Sequence, residues 1–304
     1  MADAKPIVTP VQFGASETRA PRLSERARTW QRFRRHPLAL AGAIVLLVIV
    51  VTALAAPLLP IANPIPTELQ TVNRLRPIGT PGYPLGSDEL GRDLLSRLVW
   101  GGRTSLLAGV GAALLSLIPG VLIGLIAGYF GGWVDGVATH LIDIVMAFPG
   151  VLLAIAIVAA AGPGLTNAML AVAVVGIPLY ARLVRGHVLS LREREFIHAA
   201  EALGLSTPRI LFRHVLPNCL ALVIVAGTLD VGAKLIATAS LSFLGLGTQP
   251  PQPDWGAMLA NGRQFFFVAP HVAILPGLLI FATVVAVNLV GEGLQEALDS
   301  RLPL

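Results

Sequence analysis

Six stretches of mainly apolar residues, separated by polar segments, set the pattern of the chain. They run from Leu38 to Leu59, Thr104 to Tyr129, Leu141 to Ala161, Leu165 to Ala181, Leu220 to Leu246 and Val272 to Val290. Each is close to the 20 or so residues that a helix needs to cross a bilayer core. The pattern therefore predicts an all-α, polytopic membrane protein with six transmembrane helices. Pro57, Pro119, Pro149, Pro178 and Pro276 fall inside these stretches, which membrane helices tolerate when neighbours satisfy the freed carbonyls. No repeat of 20–50 residues is visible.

The segments between the spans have characters of their own. In residues 1–37, Leu23, Ala27, Trp30 and Phe33 recur at helical spacing among Arg22, Arg26, Arg28, Arg32, Arg34 and Arg35. That predicts a basic amphipathic stretch able to lie on an anionic lipid surface, or one that simply anchors the topology; residues 1–21 read as disordered. The run at 38–59 has a basic leader and Ala53-Leu54-Ala55, like a secretory signal. Signal cores have only about 7–15 apolar residues, so the longer run reads as a retained span. Within residues 60–103, Leu90, Leu94, Leu95, Leu98 and Val99 share one helical face, and acids cluster at its start. The expectation is an interfacial helix over Ser87 to Trp100. In the second span, Gly120, Gly124 and Gly128 strip one helix face of side chains, the arrangement membrane helices use to pack closely.

Composition sharpens the class. The 304 residues are 55% hydrophobic and 13% charged, against about 25% charged in an average soluble domain, which excludes an ordinary soluble enzyme and a disordered chain. Lysine and arginine number 22, for a formal net charge of +5. They sit in blocks beside the apolar runs rather than along one face, so nucleic acid is not the expected partner. With both termini placed in the cytoplasm, the inner segments hold 15 of these cations, Arg301 among them, and the outer ones six. The positive-inside rule selects that orientation. One cysteine, Cys219, offers no internal disulfide and no ligand cluster.

The segment at 182–218 carries the clearest signal. A short helix over Phe196 to Leu203 should end at Gly204, a residue suited to the left-handed C-terminal position. Thr207 should cap a second helix with Pro208 at its first position, and Pro217 should stop that helix where the fifth span begins. The result is a rigid knob rimmed by Arg192, Arg194, Arg209 and Arg213, suited to docking a partner.

Here the residues carry a family resemblance. Ala199-Ala200, Gly204 and Leu216-Pro217 have the spacing of the EAA loop of bacterial ABC importer permeases, and the string from Arg194 to Asn218 resembles the peptide/nickel branch. Leu85-Gly86-Ser87-Asp88 with Leu90-Gly91-Arg92-Asp93 and Ser96-Arg97 is similar to that branch's outer-loop signature. Leu241 to Gly247, with Pro250-Pro251, Pro253, Trp255-Gly256 and Met258-Leu259, is similar to the block closing its fifth span. His198 stands where the loop's leading acid is expected, with Glu195 and Glu201 nearby, and Thr238 stands at a second acid position. The resemblance implies a five-helix permease core at 104–304 and a coupling helix that seats in an ATPase, through His198, Ala199, Ala200, Glu201, Gly204, Arg209, Arg213 and Pro217. It further implies a homologous second permease, two ATPase subunits that bind ATP and Mg, and an extracytoplasmic substrate-binding protein, in a bacterial cytoplasmic membrane. Dipeptides or oligopeptides are the implied cargo, with nickel chelates second.

No phosphate-cradling loop surrounds Lys5 or Lys234, and no nucleophile or metal motif is present, so the chain itself is expected to be non-catalytic and without cofactor. Asp230 and Lys234 lie inside the fifth span, where each charge costs about 2.5–3.5 kcal/mol on insertion scales. Four residues apart, they can pair on one face. They either line a polar translocation path or neutralise one another structurally. Asp143, near the inner end of the third span, matches an acid of the family pattern and suits packing or gating. The competing class is an ion-coupled secondary transporter using Asp230 and Lys234 as a relay; it leaves the knob unexplained.

Overall fold

A computed structural model describes residues 25–61 and 71–298. The disordered reading of residues 1–21, the leader positions Arg22 and Leu23, and Arg301 lie outside these residues. The described residues form helices α1 (Glu25–Arg35), α2 (Pro37–Ala55), α3 (Leu94–Phe130), α4 (Gly132–Met146), α5 (Gly150–Ala161) and α6 (Leu165–Arg192). They continue as α7 (Glu195–Ala202), α8 (Thr207–Ile210), α9 (Leu216–Phe243), α10 (Trp255–Gly262) and α11 (His271–Leu298). Among the described residues no strand forms, only the isolated bridges Thr80–Tyr83 and Ser87–Asp93. Among the described residues, five helices are long and apolar enough to cross a membrane, or six where the bent pair α4–α5 counts as one span.

α3 and α6 form the centre, and their apposition follows from the glycines. A Cβ on Gly124 would lie 2.6 Å from the carbonyl oxygen of Ala181, and one on Gly128 would lie 2.8 Å from Cβ of Val188. Lipid gives apolar helices no hydrophobic reason to associate, so such close backbone contact supplies the dispersion energy instead. Ser116 adds a polar tie, donating to the carbonyls of Ala112 (2.8 Å) and Ala173 (2.9 Å). α2 packs on α11, where Gly42 leaves room for the backbone at Ala286. His36 caps α2, its Nδ1 accepting from the Ala39 N–H at 3.1 Å while Nε2 faces Glu296 at 3.5 Å.

Three expectations are corrected. The third span is not one helix over 141–161: α4 and α5 meet at 87°. Pro149 at the start of α5 lacks an N–H, and the residue before a proline avoids helical geometry. Secondly, no separate interfacial helix covers Ser87 to Trp100. Residues 87–91 form turns, Asp93 caps the next helix by accepting from the Ser96 N–H at 2.8 Å, and α3 then runs unbroken for 37 residues. At about 1.5 Å per residue that is roughly 55 Å, well beyond a bilayer core of about 30 Å. The same leucines are used, since Leu94 and Leu98 pack on Trp255.

Thirdly, Pro217 does not end a helix. α8 runs through a π turn at Leu211–Val215 into α9 as one rod from Thr207 to Phe243. The Leu216 N–H reaches back five residues to the Leu211 carbonyl, and this wider turn absorbs the bond that proline cannot donate. The helix also starts one residue early, with Ser206 rather than Thr207 at the N-cap.

At the end opposite α7, the two outer motifs meet. Trp255 is 2% exposed, its ring lies against the bare faces of Gly101 and Gly102, and its Nε1 donates to the Leu98 carbonyl at 2.8 Å. Asp88 accepts from Nε of Arg92 at 2.6 Å and pairs with Arg97 at 3.2 Å. Asp254 caps α10, accepting from the Ala257 N–H and from the Ser105 hydroxyl, both at 3.0 Å. Burial pushes the Asp254 and Glu89 carboxyls above their usual range, the charge of Asp88 adding to the effect at Glu89.

Candidate functional site

The knob is built from α7 and the first turns of the α8–α9 rod. Its fixed parts point inward: Ile197 is fully buried and Ile210 is 1% exposed, each such burial contributing about 1.5–3 kcal/mol. They join Val121 and Leu125 of α3, Val184 and Val188 of α6 and Val215 beside α9 in one apolar cluster. The knob is therefore packed into three long helices.

The turn after α7 is closed by hydrogen bonds of the Schellman kind. The Gly204 N–H donates to the Glu201 carbonyl (2.9 Å) and the Leu205 N–H to the Ala200 carbonyl (3.2 Å), with Gly204 at φ +74°. Most side chains are strained at that φ, so glycine suits the position, as the spacing predicts. The helix ends one residue earlier than expected, at Ala202. Outside this frame, His198, Ala199, Glu201, Arg209, Arg213 and Pro217 are all exposed, while Ala200 is buried against the cluster. Leu203 is 81% exposed and Phe196 and Phe212 are also open. An apolar surface ringed by arginines on a rigid support has the make-up of an interface. Tyr129, which the sequence did not single out, ties the end of α3 to the knob by donating to Glu201 at 2.9 Å.

Asp230 and Lys234 do come together, 3.7 Å apart, and both are buried between α9 and α6. Tyr180, fully buried, donates to Asp230 at 2.8 Å, and Lys234 faces the Val172 carbonyl at 3.4 Å. The lysine head fits because Gly176 has no side chain; a Cβ there would collide with Nζ. Asp143 differs: its carboxylate is more than half exposed and pairs with the equally open Arg182 at 2.9 Å. Next to it, Arg185 grips Asp135 through both Nε and Nη2, linking α6 to α4. Tyr180, Gly176 and Arg182 were missed in the sequence because each acts through a partner on another helix. Among the described residues no cluster of histidine, cysteine or acids could hold a metal.

The fold is that of a helical membrane protein with an exposed knob at one end, and comparison with known proteins gives it a family. Residues 120–303 match the binding-protein-dependent transport system inner membrane component, and residues 24–77 match the N-terminal TM domain of oligopeptide transport permease C. The chain is 42% identical over 300 residues, 98% of both chains, to the dipeptide transport system permease protein DppC of Alkalihalophilus pseudofirmus. It is 45% identical over 274 residues, 90% of both chains, to the glutathione transport system permease protein GsiD of Pectobacterium atrosepticum. The chain belongs to the binding-protein-dependent inner-membrane permeases and, within them, to the permeases of peptide ABC importers. Such permeases are non-catalytic membrane components. The fold is shared with the MetNI methionine ABC transporter in inward-facing form, at TM-score 0.54 and 18% identity over 66% of this chain and 94% of that one.

Proposed function

We propose that this chain forms half of the path by which an ATP-driven importer carries di- and oligopeptides across a bacterial cytoplasmic membrane. Its relatives bearing dipeptide and glutathione names support small peptides over nickel chelates as cargo. Both termini and α7 face the cytoplasm, in keeping with the arginine excess on those segments. A homologous permease completes the path, two ATPase subunits bind ATP and Mg and dock on α7, and an extracytoplasmic binding protein delivers the cargo. Closure of the ATPases draws the coupling helices together, and the apolar cluster under Ile197 passes that movement to α3, α6 and α9.

The observation that carries this reading is the knob, apolar and open on its outer surface yet buried at its root. Asp230 and Lys234 are assigned a packing role, because their partners are each other, Tyr180 and the Val172 carbonyl, all buried within the chain. The exposed pair Asp143–Arg182 is assigned to the border of the path, because both side chains are more than half open. Replacing Gly204 with glutamate should abolish substrate-stimulated ATP hydrolysis by the assembled complex and leave membrane insertion intact. Asparagine, which tolerates a positive φ, should retain most of the stimulation. Full stimulation in Gly204→Glu would refute the coupling role.

A further inference from the structure

The first helix and the first span meet at a corner. α1 ends at Arg35, His36 is extended (φ −91°, ψ 100°), and α2 begins at Pro37. α1 therefore does not continue along the axis of α2 but turns onto the end of α11. There the Phe33 ring lies 3.4 Å from the place a Cβ on Gly293 would take, and His36 faces Glu296. α11 begins beside the Trp255 cluster and ends at this corner, so α1 stands at the knob's end of the molecule.

The outward face of α1 combines a ring with charges of one sign. Thr29, Arg32 and Phe33 are half-buried, whereas Trp30, Gln31, Arg34 and Arg35 are exposed. Trp30 is 60% exposed and stacks on Phe33 with ring centroids 6.1 Å apart, and Arg34 is its neighbour one helical turn on. Residues 29–35 contain no acid, and among the described residues no acid pairs with Arg34 or Arg35. Three residues beyond Arg35 the apolar surface of α2 begins. Leu38, Ile44, Leu47, Val48 and Val51 leave an uncharged arc open along it, and a span with such an arc lies in hydrocarbon. α1, joined to that arc through one residue, lies at the level of the headgroups, the depth that tryptophan favours. Arginine at that depth holds phosphate by paired, charge-assisted hydrogen bonds.

We propose that the outward face of α1 binds the headgroups of anionic phospholipids, with Trp30 set among them and Arg34 and Arg35 on their phosphates. The bilayer is the occupant because it already borders α2 and answers the ring and both charges together; the net charge of the lipid selects which headgroups gather there. The orientation proposed above makes this the inner leaflet, while the recognition itself depends on neither cargo nor ATPase coupling.

The test places a bimane fluorophore on Gln31→Cys in the assembled importer, Cys219 being buried. The complex enters vesicles of equal phosphatidylglycerol and phosphatidylcholine, one or the other spin-labelled near its headgroup. Labelled phosphatidylglycerol should quench the fluorophore more strongly than labelled phosphatidylcholine, and salt at about 0.5 M should flatten the difference. Arg34→Gln and Arg35→Gln should each lower the preference, by about fivefold at most for one arginine at an anionic surface, and together remove it. Lysine at both positions should keep it. Recovery of intact complex with retained ATP hydrolysis certifies the variants as folded. Equal quenching by the two lipids, quenching by neither, or a preference that survives in the double glutamine variant overturns the proposal. So does a photo-crosslinker in place of Trp30 that captures an ATPase subunit instead of lipid. Both leaflets of the vesicle carry the same mixture and the quenching is read without cargo or ATP, so its failure is distinct from failure of the transport reading.

Discussion

Single residues in this protein act by what they leave out as much as by what they add. Gly176 makes the space in which Lys234 reaches Asp230, and Tyr180 supplies the hydroxyl that holds the carboxylate. Removing one member of a buried ion pair strands the other, at about 3–5 kcal/mol, whereas replacing both by apolar residues is often neutral or stabilising. Asp230→Leu or Lys234→Leu alone should therefore lower the thermal unfolding midpoint of the purified complex sharply. The double leucine variant should recover it and keep peptide uptake near normal. A stable double variant that no longer transports would return the pair to the path.

At the scale of elements, the α3–α6 contact is the axis of the fold. Leucine at Gly124 would press on the Ala181 carbonyl and on Val184, and overpacking of this kind costs about 1–3 kcal/mol. The expected result is a lower unfolding midpoint and less folded protein recovered from membranes, read by size-exclusion profile. That close approach was legible in the sequence, because four-residue glycine spacing has one use between apolar helices. The bend at Pro149 and the π turn before Pro217 were not. A proline marks where a hydrogen bond is missing but not whether the chain breaks, as it does between α4 and α5, or widens and continues, as it does into α9. The outer leucines misled for a related reason: Leu94 and Leu98 do share a face, but that face meets Trp255 on α10, and the helix carrying them is the span itself.

Across the whole molecule, the knob and the Trp255 cluster lie at opposite ends of α3, which fixes a topological test. Cysteine at Leu203 should react with a membrane-impermeant thiol reagent only from the cytoplasmic side, and cysteine at Phe267, 99% exposed, only from outside; Cys219 is buried and gives a silent background. The reverse pattern would refute the orientation and with it the coupling role. The sequence by itself determined the helical class, the polytopic membrane character, the cation asymmetry and the position of the knob. Those depend on local periodicity, length and charge, which are properties of contiguous residues. Tertiary structure alone decided that Asp230 is answered by Tyr180 and that the two outer motifs form one cluster around Trp255. Each of these joins residues 50 to 157 positions apart, and such distances close only when helices pack.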